Sequence, residues 1–353
     1  MSTVIDYLKW RGDLSFDQDP FNLIDNVILS NIAYFDFDPT KTSDKVLLSH
    51  ALNDVFERLK KGEIVLNFFF PKDTTDLIYT LKESKRFSNL FVSDYRNIID
   101  ITKPCQFSAL TFHSGDDIFV TFRGTDDTFA GWQENLNMVS TFPVIAMTLA
   151  KDYLKEMADK YKNKNIYVLG HSKGGTLAVY AALYQDDEIV DRIIQIYSND
   201  GTGMIRKKLD KDKLLKVEPK ITKIIPEESV VGMLFDNIAG KTIVVKSKDK
   251  KIFQHNAAGW EVDGKEFVTI KSISKNAKKL SKATVDLIES MPEEDKIKIA
   301  EEVHSCILKT KTETLRDAKK QWLLVLRHLN KISYKNKKYF FKFISNFIKY
   351  KEI

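Results

Sequence analysis

Apolar residues recur at helical spacing through most of the first hundred residues. Residues 20–35, 42–62 and 72–84 each place apolar side chains three and four positions apart, which is typical of amphipathic helices. In the first of these segments the apolar positions are Leu23, Val27, Ile28 and Ile32. Helices of this kind usually pack a core and carry no chemistry. We therefore predict that residues 20–100 are mostly helical.

The period of the pattern changes at residue 105. Two apolar-rich runs, residues 105–113 and 118–125, flank a Gly-Asp turn and predict a β-hairpin. Beyond it, strand-like runs alternate with helical segments. The strand-like runs are residues 166–170, 192–198, 221–225 and 242–247, and the helical segments are residues 127–139, 142–162 and 177–185. This alternation predicts an α/β fold with a mostly parallel central sheet.

From residue 271 onward the pattern is helical and rich in charge. Pro292 and the three acidic residues after it are typical of a helix start, and no strand signal follows. We place a domain boundary near residue 270. Residues 1–270 are then an α/β domain with a mostly helical lead over residues 1–100. Residues 271–353 are a C-terminal helical region that ends in a basic, aromatic tail.

Composition narrows the class of protein. A chain of 353 residues with 43% hydrophobic and 29% charged residues is typical of a globular protein with one large or two ordinary domains. Its two cysteines, Cys105 and Cys306, are too few for a disulfide framework or a thiolate metal site. The first residues lack a signal-peptide pattern, and no apolar run reaches about 18 residues. We therefore expect a cytoplasmic protein.

The net charge of +6 lies entirely in the last part of the chain. Residues 331–353 hold seven lysines and one glutamate, so the remaining residues sum to zero. A neutral body lacks a general nucleic-acid footprint, and we expect no nucleic-acid partner. The apolar residues at helical spacing in this tail are Phe340, Phe343, Ile344, Phe347 and Ile348. The tail is either a basic amphipathic helix on an anionic membrane surface or a helix docked on the protein's own core. The oligomeric state stays open.

A glycine-rich turn carries the strongest chemical signal. Gly170-His171-Ser172-Lys173-Gly174 is a G-x-S-x-G pattern that follows a short apolar strand and opens an apolar helix. This is the context of a nucleophile elbow, in which a tight turn presents the serine hydroxyl above the edge of the sheet. The alternative is an ordinary glycine-rich turn that happens to include serine. Ser172 is the candidate nucleophile.

An acyl-transfer site also needs an oxyanion hole. One backbone N–H would come from Lys173, the residue after the nucleophile, and we expect the lysine side chain itself to lie in solvent. The second N–H should come from a loop after an earlier strand. The loop Gly124-Thr125-Asp126 lies where a predicted strand ends and a predicted helix begins, so it can supply that donor.

The general base should be a histidine late in the chain, because hydrolases of this kind carry the order Ser, acid, His. Among the six histidines, His255 alone follows the strands after the elbow without lying in a helical stretch. The alternative is a turn histidine packed beside Trp260.

These motifs together resemble the class 3 lipase group of α/β-hydrolases, and in particular a bacterial, Mbeg-type branch of lipase-like proteins. The resemblance covers roughly residues 5–270. It is carried by YLKWRGDLSF at 7–16, FRGT at 122–125, GHSKGG at 170–175, SNDGTG at 198–203, PEESVVGML at 226–234 and FQHNAAGW at 253–260. It implies an α/β-hydrolase fold, Ser172 as the nucleophile and Thr125 as a residue lining the oxyanion hole.

The sequence departs from this family at the acid of the triad. The position of the usual aspartate, after the strand at residues 221–225, is occupied by Ser229, which cannot hold an imidazolium as a carboxylate would. The replacements are Asp200, in a tight loop after an earlier strand, and Glu227 or Glu228 beside the serine. We prefer Asp200; its alternative role is an Asx-type turn without chemistry.

The sequence thus predicts a serine hydrolase that cleaves carboxylic esters, lipase- or esterase-like, through Ser172, His255 and Asp200. The expected partner is a small-molecule or lipid ester, and the chemistry requires no metal or organic cofactor. A peptidase or an acyltransferase could use the same triad. The displaced acid also leaves open a catalytically inactive hydrolase fold that serves as a binding or scaffolding protein.

Overall fold

The computed structural model describes residues 1–64, 71–310, 313–320, 333–339, 342 and 345. The strands are β1 (Ser2–Thr3), β2 (Val46–Leu47), β3 (Phe91–Asp100), β4 (Cys105–Ser114), β5 (Asp117–Phe122), β6 (Asn165–His171), β7 (Ile193–Asn199), β8 (Ile221–Pro226), β9 (Lys241–Val245), β10 (Glu261–Asp263), β11 (Glu266–Phe267) and β12 (Thr269–Ile270). The helices are α1 (Val4–Arg11), α2 (Leu23–Ile32), α3 (Leu48–Lys60), α4 (Pro71–Glu83), α5 (Lys85–Ser88), α6 (Phe129–Asn137), α7 (Ile145–Lys160), α8 (Lys173–Leu183), α9 (Asp187–Arg192), α10 (Lys211–Val217), α11 (Lys275–Glu289), α12 (Glu293–Thr310) and α13 (Leu315–Lys320).

The central sheet is mixed, so the prediction of a mostly parallel sheet is not confirmed. Its strand order is β12-β9-β8-β7-β6-β5-β4-β3-β2. The five strands from β5 to β9 run parallel, whereas β2, β3, β4 and β12 pair antiparallel. The short turn between β4 and β5 enforces the antiparallel part, because parallel neighbours need a longer crossover.

Strand β3 lies within the stretch that the sequence predicts to be mostly helical. A β-bulge shifts its register between Ser93 and Arg96, and Asp94 there adopts a φ of 57°. The extra residue breaks the two-residue alternation by which a strand is recognised. Pairing with β4 along nearly the whole strand then decides its structure.

Apolar cores cover both faces of the sheet. Successive strand residues point to opposite faces, so Val168 packs on the side of α7 and α8 while Leu169 packs on the side of α2. A reciprocal amide pair fixes α2 there: Asn26 and Asn199 exchange hydrogen bonds of 2.9 and 3.0 Å. Asn199 is the last residue of β7, so this pair ties the helical lead to the carboxyl edge of the sheet.

A buried ion pair holds the helical lead together. The Arg86 guanidinium donates to both carboxylate oxygens of Asp25, at 2.8 and 2.5 Å, and both side chains are fully buried. Its remaining N–H groups donate to backbone carbonyls, including that of Asp19 at 2.9 Å. One side chain thus joins α5, α2 and the loop between α1 and α2.

Helix α12 packs on α6, and the segment before α13 lies at the start of α6. Gln133 donates to the Ala300 carbonyl at 2.8 Å, and Thr128 pairs with Thr314 as an isolated antiparallel bridge. The tail residues proposed for membrane contact lie outside the described residues; they are Phe340, Phe343, Ile344, Phe347 and Ile348. In the part of the chain that is described, no helix combines the length and the apolarity needed to cross a membrane.

We expect Arg86→Met to lower the free energy of unfolding by about 3–5 kcal/mol, because it leaves the Asp25 carboxylate buried and unpaired. The matched control is Arg96→Met. Arg96 pairs with Glu156 at the surface, where the side chains are 40% and 49% exposed, so its loss should cost under about 1 kcal/mol. Urea unfolding measures both variants, and equal losses would contradict the prediction.

Candidate active site

Ser172 occupies a strained turn between β6 and α8. Its φ of 57° and ψ of −132° lie in a region that costs a residue about 1–3 kcal/mol. The turn is held by a hydrogen bond of 2.9 Å from the Ser172 N–H to the Asn199 carbonyl. The chain closes so tightly that a Cβ atom on Gly170 would lie 2.2 Å from the Gly174 carbonyl. This is the geometry that the G-x-S-x-G pattern predicts.

The loop after β5 passes directly against this turn. A Cβ atom on Gly124 would lie 2.6 Å from the His171 carbonyl oxygen and 3.0 Å from the Ser172 Cβ atom. Glycine is therefore required there, and the next residue, Thr125, lies beside the elbow. Lys173 is the first residue of α8, so its N–H has no acceptor within the helix. The two candidate oxyanion-hole residues thus flank Ser172.

Asp200 and His255 form a hydrogen bond of 2.6 Å between Oδ2 and Nδ1. Asp200 follows β7 directly, has a φ of 46° and is fully buried. Its second oxygen, Oδ1, accepts hydrogen bonds from the Ser229 hydroxyl at 2.5 Å and the Gly232 N–H at 3.2 Å. The carboxylate therefore has a partner for each oxygen and a fixed orientation toward the histidine.

Of the other two acid candidates, Glu228 has partners other than the histidine. The Glu228 carboxylate accepts the Lys251 N–H at 2.5 Å, and the Glu228 N–H donates to Gln254 at 2.8 Å. Among the described residues, neither Glu227 nor Glu228 hydrogen bonds to His255. The structure therefore brings Asp200 to the histidine and does not bring these two glutamates to it.

The charge state of Asp200 suits it to pair with an imidazolium. Burial by itself raises the pKa of this carboxyl group. The hydrogen bond and charge of His255, with the Ser229 hydroxyl, outweigh burial and hold the pKa below its usual value. Asp200 is therefore ionised at neutral pH and can orient the imidazole through Nδ1.

His171 lies against His255. The ring centroids are 4.6 Å apart, and the His171 Nε2 donates to the His255 carbonyl oxygen at 2.8 Å. Its Nδ1 then accepts the Tyr34 hydroxyl at 3.0 Å. Burial, followed by the nearby charge of His255, lowers the pKa of His171 to about 3. His171 is thus a neutral support for the backbone of His255.

The Lys173 side chain lies inside the protein, so the expectation of a solvent-exposed lysine was wrong. Its Nζ donates to the Gln106 carbonyl at 2.7 Å and to Glu134 Oε2 at 2.8 Å. Glu134 is fully buried on α6 and supplies the compensating charge. The sequence next to Lys173 does not indicate this ion pair, because Glu134 is 39 residues away.

The serine and the histidine are both accessible from outside. Ser172 is half-buried, and the His255 side chain is 21% exposed. Within the described residues, no hydrogen bond joins the Ser172 hydroxyl to His255. Such catalytic hydrogen bonds often tighten only when substrate binds. The described residues also contain no group of three His, Cys, Asp or Glu side chains that could hold a metal ion.

The sequence profile of the Mbeg1-like family matches residues 81–305. This match confirms the resemblance to an Mbeg-type branch, while a bacterial origin stays a prediction. Among proteins with curated descriptions, none matches this chain in sequence.

Several solved structures of fungal lipases are similar in structure. A fungal lipase with an inhibitor is 15% identical with a TM-score of 0.37, over 63% of this chain and 76% of the lipase. The Rhizomucor miehei lipase–propeptide complex is 13% identical with a TM-score of 0.35, over 66% and 74% of the two chains. The lipase of Rhizopus microsporus var. chinensis is 14% identical with a TM-score of 0.33, over 65% and 83%. Similarity this low supports no inference about activity.

We expect the stability of the protein to fall as the pH drops from about 6.5 toward 3, in part because of His171. The unfolded chain binds a proton there near pH 6.5, whereas the folded protein does so only near its pKa of about 3. His171→Gln removes this difference. The slope of its free energy of unfolding against pH should therefore be smaller than that of the wild type by about 1 kcal/mol per pH unit. Burial also lowers the pKa of His113 to about 3, so His113→Gln serves as a comparison variant. Urea unfolding between about pH 4 and 7 tests this, and parallel slopes in wild type and His171→Gln would contradict it.

Proposed function

The chain belongs to the Mbeg1-like family, and we propose that it is a serine hydrolase that cleaves carboxylic esters through Ser172, His255 and Asp200. The observation that carries the proposal is the buried, ionised Asp200 hydrogen-bonded to Nδ1 of a partly exposed histidine next to the strained serine turn. A carboxylate that fixes Nδ1 leaves the Nε2 of His255 free to accept a proton.

The proposed reaction has two halves. The Ser172 oxygen attacks the ester carbonyl carbon while His255 accepts the hydroxyl proton at Nε2. The N–H groups of Thr125 and Lys173 bind the resulting oxyanion. His255 then gives its proton to the departing alcohol, which leaves an acyl group on Ser172. Water, activated by His255, releases the acid and restores the serine.

The substrate that we propose is a small-molecule or lipid ester, and no residue of the proposed reaction needs a metal ion or organic cofactor. A peptidase or an acyltransferase would use the same residues and differ only in the leaving group or in the final acceptor. We also propose a cytoplasmic location, on the sequence pattern alone. Chain length and the identity of the alcohol can be read from a panel of esters once serine reactivity is established.

We expect a fluorophosphonate probe to label the wild-type protein and to leave Ser172→Ala and His255→Ala unlabelled. Asp200→Asn should slow labelling by about 10³–10⁴-fold, because the neutral amide no longer selects the reactive tautomer of His255. Glu228→Gln is the matched control, since it removes a nearby carboxylate that does not contact His255, and it should label at nearly the wild-type rate.

The opposite results are equally informative. Folded wild-type protein that stays unlabelled with and without detergent would contradict the hydrolase proposal and favour the binding or scaffolding role. Labelling that depends on Glu228 and not on Asp200 would keep the hydrolase and replace its acid.

A further inference from the structure

Two neighbouring residues of α6 hold the two residues that flank Ser172. Glu134 receives the Lys173 ammonium at 2.8 Å, and the next residue, Asn135, contacts Thr125. The Asn135 amide nitrogen lies 2.8 Å from the Thr125 hydroxyl oxygen, and its carbonyl oxygen lies 3.2 Å away. One helix is therefore bonded to both sides of the proposed oxyanion hole.

Glu134 is itself held in place by backbone groups. Its Oε2 accepts the Gln106 N–H at 3.1 Å, and its Oε1 accepts the Ala146 N–H at 2.9 Å. Lys173 also donates to the Gln106 carbonyl at 2.7 Å, so the ammonium bridges α6 and β4. Both charged side chains are nearly completely buried, with exposures of 0% for Glu134 and 2% for Lys173. Neither can be moved without breaking several hydrogen bonds.

We infer that Glu134 and Asn135 are positioning residues for the oxyanion hole, an inference that rests on the hydrolase function proposed above. Glu134 sets the first residue of α8, whose N–H follows the strained Ser172. Asn135 sets Thr125, whose N–H is the proposed second donor, from the loop after β5. Because both act from one helix, they fix the separation of the two N–H donors. A donor displaced by about 1 Å can slow the chemical step by about 100-fold.

The buried ion pair is not explained by stability alone. A buried pair of this kind often contributes no more to stability than apolar side chains of similar size. Here the other hydrogen-bond partners of the pair are backbone groups of Gln106 and Ala146. Lys173 directly follows the proposed nucleophile and is paired inside the protein. This position fits a role in fixing the geometry of the turn.

We expect Asn135→Ala to lower kcat for a short ester by about 10–100-fold while KM stays within about threefold, because only binding of the oxyanion is lost. Gln133→Ala is the matched control. Gln133 lies on the same helix and hydrogen bonds to Ala300 and Asn137. Among the described residues, no hydrogen bond joins it to Thr125 or Lys173. It should leave kcat nearly unchanged while loosening α6 to a comparable extent, as judged by thermal unfolding.

A double-mutant cycle separates positioning from general stabilisation. In a Thr125→Val background the Thr125 hydroxyl is absent, so Asn135→Ala should have no further effect on kcat. Lys173→Met should lower the fluorophosphonate labelling rate by about 10-fold or more. Its KM for a short ester should change little. If Lys173→Met does not fold, the Asn135 cycle decides the inference by itself.

Each outcome has a definite meaning. The positioning role is overturned, with the hydrolase proposal intact, if Asn135→Ala is no slower than Gln133→Ala. It is also overturned if Asn135→Ala lowers kcat by the same factor in the wild-type and in the Thr125→Val backgrounds. Wild-type protein without labelling or turnover overturns both. A fall in kcat that vanishes in the Thr125→Val background supports both.

Discussion

The site depends on one tight turn, in which β6 gives way to α8 within a single residue. Ser172 has a backbone conformation that a serine rarely adopts, so the surrounding structure has to hold it there. The Asn199 carbonyl binds its N–H, the Gly124 loop packs against it, and the buried Lys173–Glu134 pair secures the residue that follows. Each of these contacts comes from a different element. The sheet, α6 and the loop after β5 therefore all have to be in place for the turn to adopt this conformation.

The positions of two neighbouring strands explain how the proposed triad acid, Asp200, can lie one strand away from the position where the family resemblance implies it. Strands β7 and β8 are parallel neighbours, with Asn199 opposite Ile224, so the loops that follow them begin side by side. A carboxylate on either loop can reach the same histidine. Here Asp200 occupies the first loop, and Ser229 on the second loop donates to it. Ser229 thus supports the carboxylate that we propose as the triad acid, and that carboxylate hydrogen bonds to His255.

What the sequence could predict follows from the range of the interactions involved. The parallel strands, the elbow and the Asp200 loop carry local signals, because apolar runs, glycines and turn residues lie next to one another in the chain. Strand β3 was missed because a bulge hides its alternation. The burial of Lys173 and the contact of Tyr34 with His171 were missed for another reason: their partners are 39 and 137 residues away. A charged side chain looks the same in sequence whether its partner is water or a buried carboxylate.

The helical lead contacts the candidate site through Tyr34, which fixes the hydrogen bonds of His171. Tyr34, just after α2, donates to His171 Nδ1, and His171 Nε2 donates to the His255 carbonyl. Both nitrogens of His171 are thereby engaged, and its low pKa keeps the ring neutral. In the proposed reaction the proton of Ser172 goes to the Nε2 of His255, because Nδ1 is bonded to Asp200. In this proposal the two neighbouring histidines have separate roles, which are set by the hydrogen bonds that each one makes.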